Sequence, residues 1–521
     1  MYSHLARSRL SGAVAIVLIA GLKTVPVQAQ SAPQLQPPPA EQSPSPVATP
    51  AQDHEGRDVP MAREGSGTAW LPDATPMYAI HLQRSSWQFM VHENVFVQFL
   101  RESGDRGVGQ FGSINWIMAM ARRNAGNGRF TFRGMFSAEP WTIRGCGYPD
   151  LLASGEVCQG EKIHDRQHPH DLLMDISAEY DAPLKGAVRW QVYGGPVGEP
   201  ALGPVAFPHR ISAMPNPLAP ISHHWLDSTH VTFGVVTVGA YARQWKAEAS
   251  AFNGREPDER RTNVDFGAFD SFSGRLWFLP TPGLAVQVSA GRLTEAEASE
   301  GGGPGTDVTR VTASATYHRA FRENGIWATT IGWGRNTESG DSSNAFLMET
   351  SLTSNERHAW FGRFEAAGKT AHDLAVAGSA DDFAVAKLQG GYTRYFKARQ
   401  GLKPGAGVSV SAGLVPERLV AVYGSRVNTG FGVFLTLRPA GMKMPQGTGA
   451  ASAAQTPGGR AMVMVQTALD PAKLSCSPGI SPPESPKATY QGKTYYFCTA
   501  KERDEFLTDP AMSLSMMPPK Q

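Results

Sequence analysis

The sequence predicts an all-β fold: an antiparallel transmembrane β-barrel of about 16 strands (roughly 14–18), followed by a small α+β C-terminal module. Three observations predict it. From about residue 87 to 439, short strand-like runs are joined by turns that are alternately brief and long. Within each run, apolar residues alternate with small or polar ones, the period that sends successive side chains to opposite faces of a sheet. And no stretch holds the eighteen or so consecutive apolar residues of a membrane-spanning helix, whereas barrel strands are only half apolar.

The chain opens on the pattern of a secretory signal over residues 1–29: a basic start with Arg7 and Arg9, the apolar run AVAIVLIAGL, and the small-residue site Val27-Gln28-Ala29. Residues 30–70 read as a disordered Pro-rich leader, whose Pro-, Ala-, Gln- and Ser-rich composition cannot bury enough apolar surface to fold. The barrel is expected over 75–440. A low-complexity linker (441–462) and a C-terminal module (463–515) complete the chain. The formal net charge of +2 gives no reason to expect nucleic acid as a partner.

The strands are expected near 87–101, 111–122, 129–138, 172–180, 187–194, 229–238, 243–252, 269–278, 284–293, 308–319, 325–336, 344–353, 357–368, 382–396, 404–413 and 429–438. Phe130, Phe132 and Phe136 alternate with Arg129, Thr131, Arg133 and Met135. Val311, Ala313, Ala315 and Tyr317 alternate with Arg310, Thr312, Ser314, Thr316 and His318. One set should face lipid and the other the lumen. Arg129, Arg133, Glu248, Arg310, Glu349, Arg363, Glu365, Lys387 and Arg438 fall on the lumen set, where charge requires water or a partner. Trp116, Trp141, Trp277, Trp327, Trp333 and Trp360 are placed for an interfacial girdle.

In such barrels the first strand runs outward and the turns on the periplasmic side are short. The even-numbered connections are short here, such as 124–127, 239–242 and 279–283. Two odd-numbered ones, 139–171 and 195–228, are the longest, which puts them on the extracellular end or folded into the lumen.

Those two connections hold the chemistry. Half of the 14 histidines lie between His164 and His230. One group reads His164-Asp165-Arg166-Gln167-His168-Pro169-His170-Asp171; the other is His209, Ser222-His223-His224-Trp225-Leu226-Asp227 and His230. Imidazole suits Zn and Cu, and carboxylates can complete the shell. His164, His168, His170, His223 and His224 are the candidate ligands, and Cu or Zn the candidate ions. The alternative is that these side chains hydrogen-bond the two loops into a plug. A hydrolase needs a nucleophile with a base and an oxyanion hole; the Ser–His pairs here carry no such motif, so no enzyme is predicted. The four cysteines form two local pairs, Cys146 with Cys158 and Cys476 with Cys498. In an oxidising compartment such pairs read as disulfides, with thiolate ligation of a metal as the alternative.

Residues 490–510 read YQGKTYYFCTAKERDEFLTDP. This resembles the YHS domain, a small metal-associated module with a Tyr-Gly-Lys-Tyr-Tyr-Phe-Cys hairpin, a short helix and Asp-Pro. Gly492, Lys493, Tyr495, Tyr496, Phe497, Cys498, Phe506, Leu507, Asp509 and Pro510 fit that pattern. Glu502 stands where a second cysteine is expected, and Cys476 is displaced from the opening motif. The resemblance therefore implies a degenerate module, either bridged by Cys476–Cys498 or ligating metal through Cys498. The segments SNERHAWFGRFE and GFGVFLTLRP look like late and closing strands of porin-like outer-membrane barrels.

The expected function is passage or handling of a small solute across the outer membrane, with a transition-metal ion as the cargo to which the histidines and the C-terminal module point. The leader and C-terminal module would be periplasmic, and lipid, the solute and further copies of the chain the partners. A plugged barrel that anchors a periplasmic domain is the second reading, and an outer-membrane hydrolase the third.

Overall fold

In the computed structural model the described residues are 59–297, 305–321, 324–377, 379, 381–441, 467–468, 486–491, 493–497, 503–504 and 506–507. The expected signal sequence, most of the expected leader, residues 442–466 of the linker region and its sequel, Cys476 and Cys498 lie outside them.

Sixteen antiparallel strands close into a barrel: β2 (Trp87–Glu102), β3 (Gly109–Ala125), β4 (Gly128–Phe136), β7 (Leu173–Lys185), β8 (Val188–Gly198), β9 (Thr232–Ala242), β10 (Trp245–Phe252), β11 (Ser271–Thr281), β12 (Leu284–Glu297), β13 (Thr306–Phe321), β14 (Gly325–Glu338), β15 (Asp341–Ser354), β16 (His358–Thr370), β17 (Asp382–Tyr395), β18 (Leu402–Leu414) and β19 (Val427–Pro439). Each pairs with its sequence neighbour along the wall, and β19 closes on β2, with Phe431 opposite Arg101 and Leu437 opposite Val95. Three further strands are additions. A short β1 (Ile80–Arg84) lies on the lower part of β2, with Ile80 opposite Val91. A hairpin, β5 (Tyr148–Cys158) and β6 (Glu161–Gln167), forms inside the β4–β7 connection.

Closure explains the period-two pattern. Phe99, Phe111, Val236, Phe272, Leu276, Val410, Phe431 and Leu435 are exposed on the outer face, while Arg129, Arg133, Arg310, Arg363 and Arg438 are buried in the lumen. Trp141, Trp327, Trp333 and Trp360 are exposed, as a girdle requires. Trp116 and Trp277 correct the expectation: they sit on the inward phase of their strands and are buried.

The connections sort by end. At one end lie the turns after β3, β7, β9, β11, β13, β15 and β17, all short, together with the chain entering β1 and leaving β19. At the other lie the connections 137–172, 199–231, 253–270, 371–381 and 415–426. The β14–β15 turn is also on that end but is tight, so length alone does not mark every outer connection.

The lumen is filled from both ends. Residues 59–79, whose first part the composition assigns to the leader, run inside the short-turn end. There Val59, Ala69, Trp70 and Leu71 pack on Tyr241, Trp277, Leu279 and Ala285 of the wall and on Val205 of the 199–231 connection. That connection descends from the other end: Arg210 reaches Glu349, Ser351 Oγ donates to the Ile211 carbonyl, and Asn94 Nδ2 donates to that of Met214. Toward the C-terminus, β21 (Lys487–Tyr490) and β22 (Lys493–Phe497) form a hairpin, β20 (Thr467–Ala468) pairs with β22, and Ala488, Tyr495, Phe497 and Phe506 form a small buried cluster. No helix among the described residues is long and apolar enough to cross a membrane.

Candidate functional site: an imidazole cluster inside the barrel

The site forms where two long connections meet. The 137–172 connection ends in His168-Pro169-His170, immediately before β7 begins. The 199–231 connection supplies a single helical turn, His223–Leu226, followed by Ser228–His230. That turn lies against β14 because β14 presents glycine to it: a Cβ on Gly334 would stand 2.2 Å from the Trp225 carbonyl oxygen. On the facing side Gly155 of β5, at φ +126°, lies against the ring of His224, and a Cβ there would fall 2.2 Å from its Nε2.

Four of the five candidate ligands come together, and one does not. His168, His170, His223 and His224 are buried and adjacent. His230, which the sequence places in the second group but not among the ligands, joins them. Ring centroids are 5.1 Å apart for His223–His230, 5.3 Å for His170–His230 and His223–His224, 5.9 Å for His168–His224 and 6.2 Å for His168–His223. Phe207 stacks on His170 and meets His223 and His230 edge-on. His164 instead bonds Asp165 at 3.0 Å and lies beside Arg106.

Every ring of the cluster is oriented through Nδ1. That atom lies 3.2 Å from the Pro169 carbonyl in His168, 3.0 Å from Glu139 in His170 and 2.8 Å from Asp227 in His223. It lies 2.8 Å from Glu256 in His224 and 2.8 Å from the Asp227 carbonyl in His230. Carboxylate and carbonyl oxygens accept, so Nδ1 carries the proton and Nε2 keeps its lone pair. The Nε2 atoms of His168, His224 and His230 are buried and accept no hydrogen bond; that of His168 faces Glu156 at 3.2 Å. A carboxylate or carbonyl on the far nitrogen is the usual outer support of a metal-ligating histidine.

The charges are set by burial and by ion pairs. Burial, reinforced by Arg261 and neighbouring histidines, holds His168 well below the usual imidazole range, and burial beside His223 and His170 does the same to His230. Burial also lowers His223, with Asp227 opposing. For His170 and His224, burial is outweighed by Glu139 and Glu256, and both are raised. Burial pushes Glu156 up to about 7 and Asp171 to about 6 against the pull of Arg261, which pairs with both. Asp227 is opposite: despite burial, Arg210 and His223 hold it well below the carboxylate range. Glu139 and Glu256, distant in sequence from the histidines, are the partners the sequence did not reveal. Among the described residues no group of three or more His, Cys, Asp or Glu side chains stands arranged to hold a metal ion.

Cys146 and Cys158 are joined by a disulfide, which ties the turn before β5 to the last residue of that strand. Around the cluster, ion pairs tie the two connections to the wall, Lys387 with Asp150 and Arg210 with Glu349, and Lys387 also pairs with Glu102; Arg363 with Glu349 and Arg275 with Glu248 join neighbouring strands of the wall.

No protein-family model matches the chain, and no curated protein does. Solved structures with a similar outline include OmpF of Salmonella typhi in complex with daunomycin, at 10% identity and TM-score 0.43, covering 69% of this chain and 100% of that one. An anion-selective porin of Comamonas acidovorans aligns at 10% identity and TM-score 0.40, over 68% of this chain and 99% of that one. The outer-membrane channel DcaP of Acinetobacter baumannii aligns at 7% and 0.38, over 68% and 98%.

Proposed function

We propose that the chain is an outer-membrane barrel that handles a small solute, and that the solute is a divalent transition-metal ion such as Cu or Zn, held inside the long-loop end by the imidazole cluster. The apolar outer wall supports the membrane setting, since an exposed band of this kind is costly in water. The five rings with Nδ1 tied to oxygen carry the metal reading. Two imidazoles on one tetrahedral ion, with metal–nitrogen bonds of about 2.0–2.1 Å, place their ring centres on the order of 5 Å apart. Three neighbouring pairs, His170–His230, His230–His223 and His223–His224, stand at that separation. By the short-turn rule the leader and the YHS-like module are periplasmic.

Titration of the folded, detergent-solubilised protein with Zn(II) or Cu(II) tests this. Micromolar or tighter binding is expected, and His168→Ala with His170→Ala should remove it without unfolding the barrel. Protons compete for the same nitrogens, above all at His170 and His224, whose affinity for protons is raised. Metal affinity should therefore rise with pH through the imidazole range and fall on acidification. Absence of micromolar binding, or indifference to the double substitution, would show that the histidines only join loops. The second reading, a closed barrel that displays loops, is favoured by the ion pairs that fix both long connections to the inner wall, and single-channel recording that finds no conductance would support it.

A further inference from the structure

The short-turn end of the lumen holds a cavity of different chemistry. Met61 and Met77 of the N-terminal segment, Met90 of β2, Met120 of β3 and Met214 of the 199–231 connection line it, together with His92 and His209. Five of the chain's 17 methionines meet in this one place, far more than composition would deliver. They come from four separate parts of the chain, so no local repeat explains them.

The barrel register adds to the pattern. Met90 stands opposite Met120 and, on its other side, His81. One row along, His92 stands opposite Met118, and Met118 opposite Met135. Met118, Met120, Met135 and Met174 pack in one buried cluster with Met90 against it, and Met174 follows His170 by four residues. Thioethers thus run along the inner wall from the imidazole cluster to the cavity.

The polar groups at the cavity are poised rather than spent. His92 Nε2 is buried without a hydrogen-bond partner, as is that of His81. The His92 and His209 rings are 5.4 Å apart, and the indole of Trp116 lies 5.3 Å and 4.8 Å from them. Thioether sulfur is a soft donor that cannot be protonated and selects soft cations, and imidazole tolerates them. An indole face beside the donors attracts a cation through its ring quadrupole.

We propose that this cavity is a binding site for a soft monovalent cation, Cu(I) or its redox-inert analogue Ag(I), with its donors drawn from the lining thioethers, Met90 and Met120 foremost, and from His92 and His209. The site goes beyond the imidazole cluster and stands without it: thioethers would hold Cu(I) or Ag(I) whether or not the cluster takes Zn(II).

The test uses the full-length, folded protein. Ag(I) affinity is measured by calorimetry, and Cu(I) affinity anaerobically by competition with a chromogenic Cu(I) chelator. Met90→Leu with Met120→Leu, changes that nearly conserve side-chain volume, should weaken the tightest site at least tenfold; a smaller loss overturns the proposal. Far-UV circular dichroism and heat-dependent gel mobility confirm that the variant is folded. X-ray absorption of the unaltered protein with one equivalent of Ag(I) needs no variant: metal–sulfur scattering is expected, and a shell of nitrogen and oxygen alone overturns the site. His168→Ala with His170→Ala should leave Ag(I) binding within twofold. If it abolishes that binding, the cation sits at the imidazole cluster and the cavity is packing only, whereas loss of Zn(II) binding alone bears on the cluster and leaves the cavity standing.

Discussion

At the scale of single residues, Gly155 shows how closely the cluster is built. It combines a left-handed φ with contact against the His224 ring, so a side chain there is strained and has nowhere to go. Gly155→Ala should displace His224 from Glu256 and lower divalent-metal affinity by about tenfold while the barrel keeps its thermal transition. Titration beside a melting curve measures both, and unchanged affinity would show that His224 is dispensable. The histidine groups were legible in the sequence because they are dense and sit in the longest connections. Their pairing was not. Glu139 and Glu256 reach His170 and His224 only because the connections fold inward, and His164 leaves the group because Asp165 and Arg106 are nearer partners. The methionines gave no local signal either, since their meeting depends on barrel register.

Among the strands and turns, the alternation of apolar and polar residues carried nearly everything, because a barrel wall has one face in lipid and the other in the lumen. All sixteen wall strands were recoverable from it. What it missed is informative: β1, β5 and β6 add no strand to the wall, and Trp116 and Trp277 belong to the inner phase that their aromatic character disguises. The sorting of turns also yields a topological prediction. Ser342 is exposed at the long-loop end and Ala187 at the short-turn end. In intact cells a membrane-impermeant thiol reagent should label Ser342→Cys and spare Ala187→Cys, each compared with the unaltered chain. The opposite pattern would invert the barrel and with it both proposed sites.

For the molecule as a whole, the question is whether the filled lumen is a wall or a gate. The N-terminal segment is anchored by Trp70, which stacks edge-on with Tyr241 at 5.7 Å and lies under Arg63 and Lys246. Truncating a buried tryptophan costs about 3–5 kcal/mol, and here the cost falls on the largest apolar side chain that holds the segment in the lumen. Trp70→Ala should release residues 59–79 to protease and raise ion conductance in planar bilayers while the strands stay intact. Protection equal to that of the unaltered chain would mean that the loops alone hold the plug. Composition suggested a loose leader running to residue 70, because its Pro-rich opening masks the apolar residues from Val59 onward.

The seam between β19 and β2 has a consequence for biogenesis. Its partners, such as Leu437 and Val95, lie at opposite ends of the barrel sequence, so the last row of backbone bonds cannot form until almost the whole wall has been made. Until then β2 carries an open edge, the kind that invites pairing with a foreign strand. The small hairpin partner β1 shields the first third of that edge from the start, leaving only the upper part to wait for the arrival of β19. Folding kinetics should therefore be governed by one slow zipping event, in which the last wall strand pairs with the first.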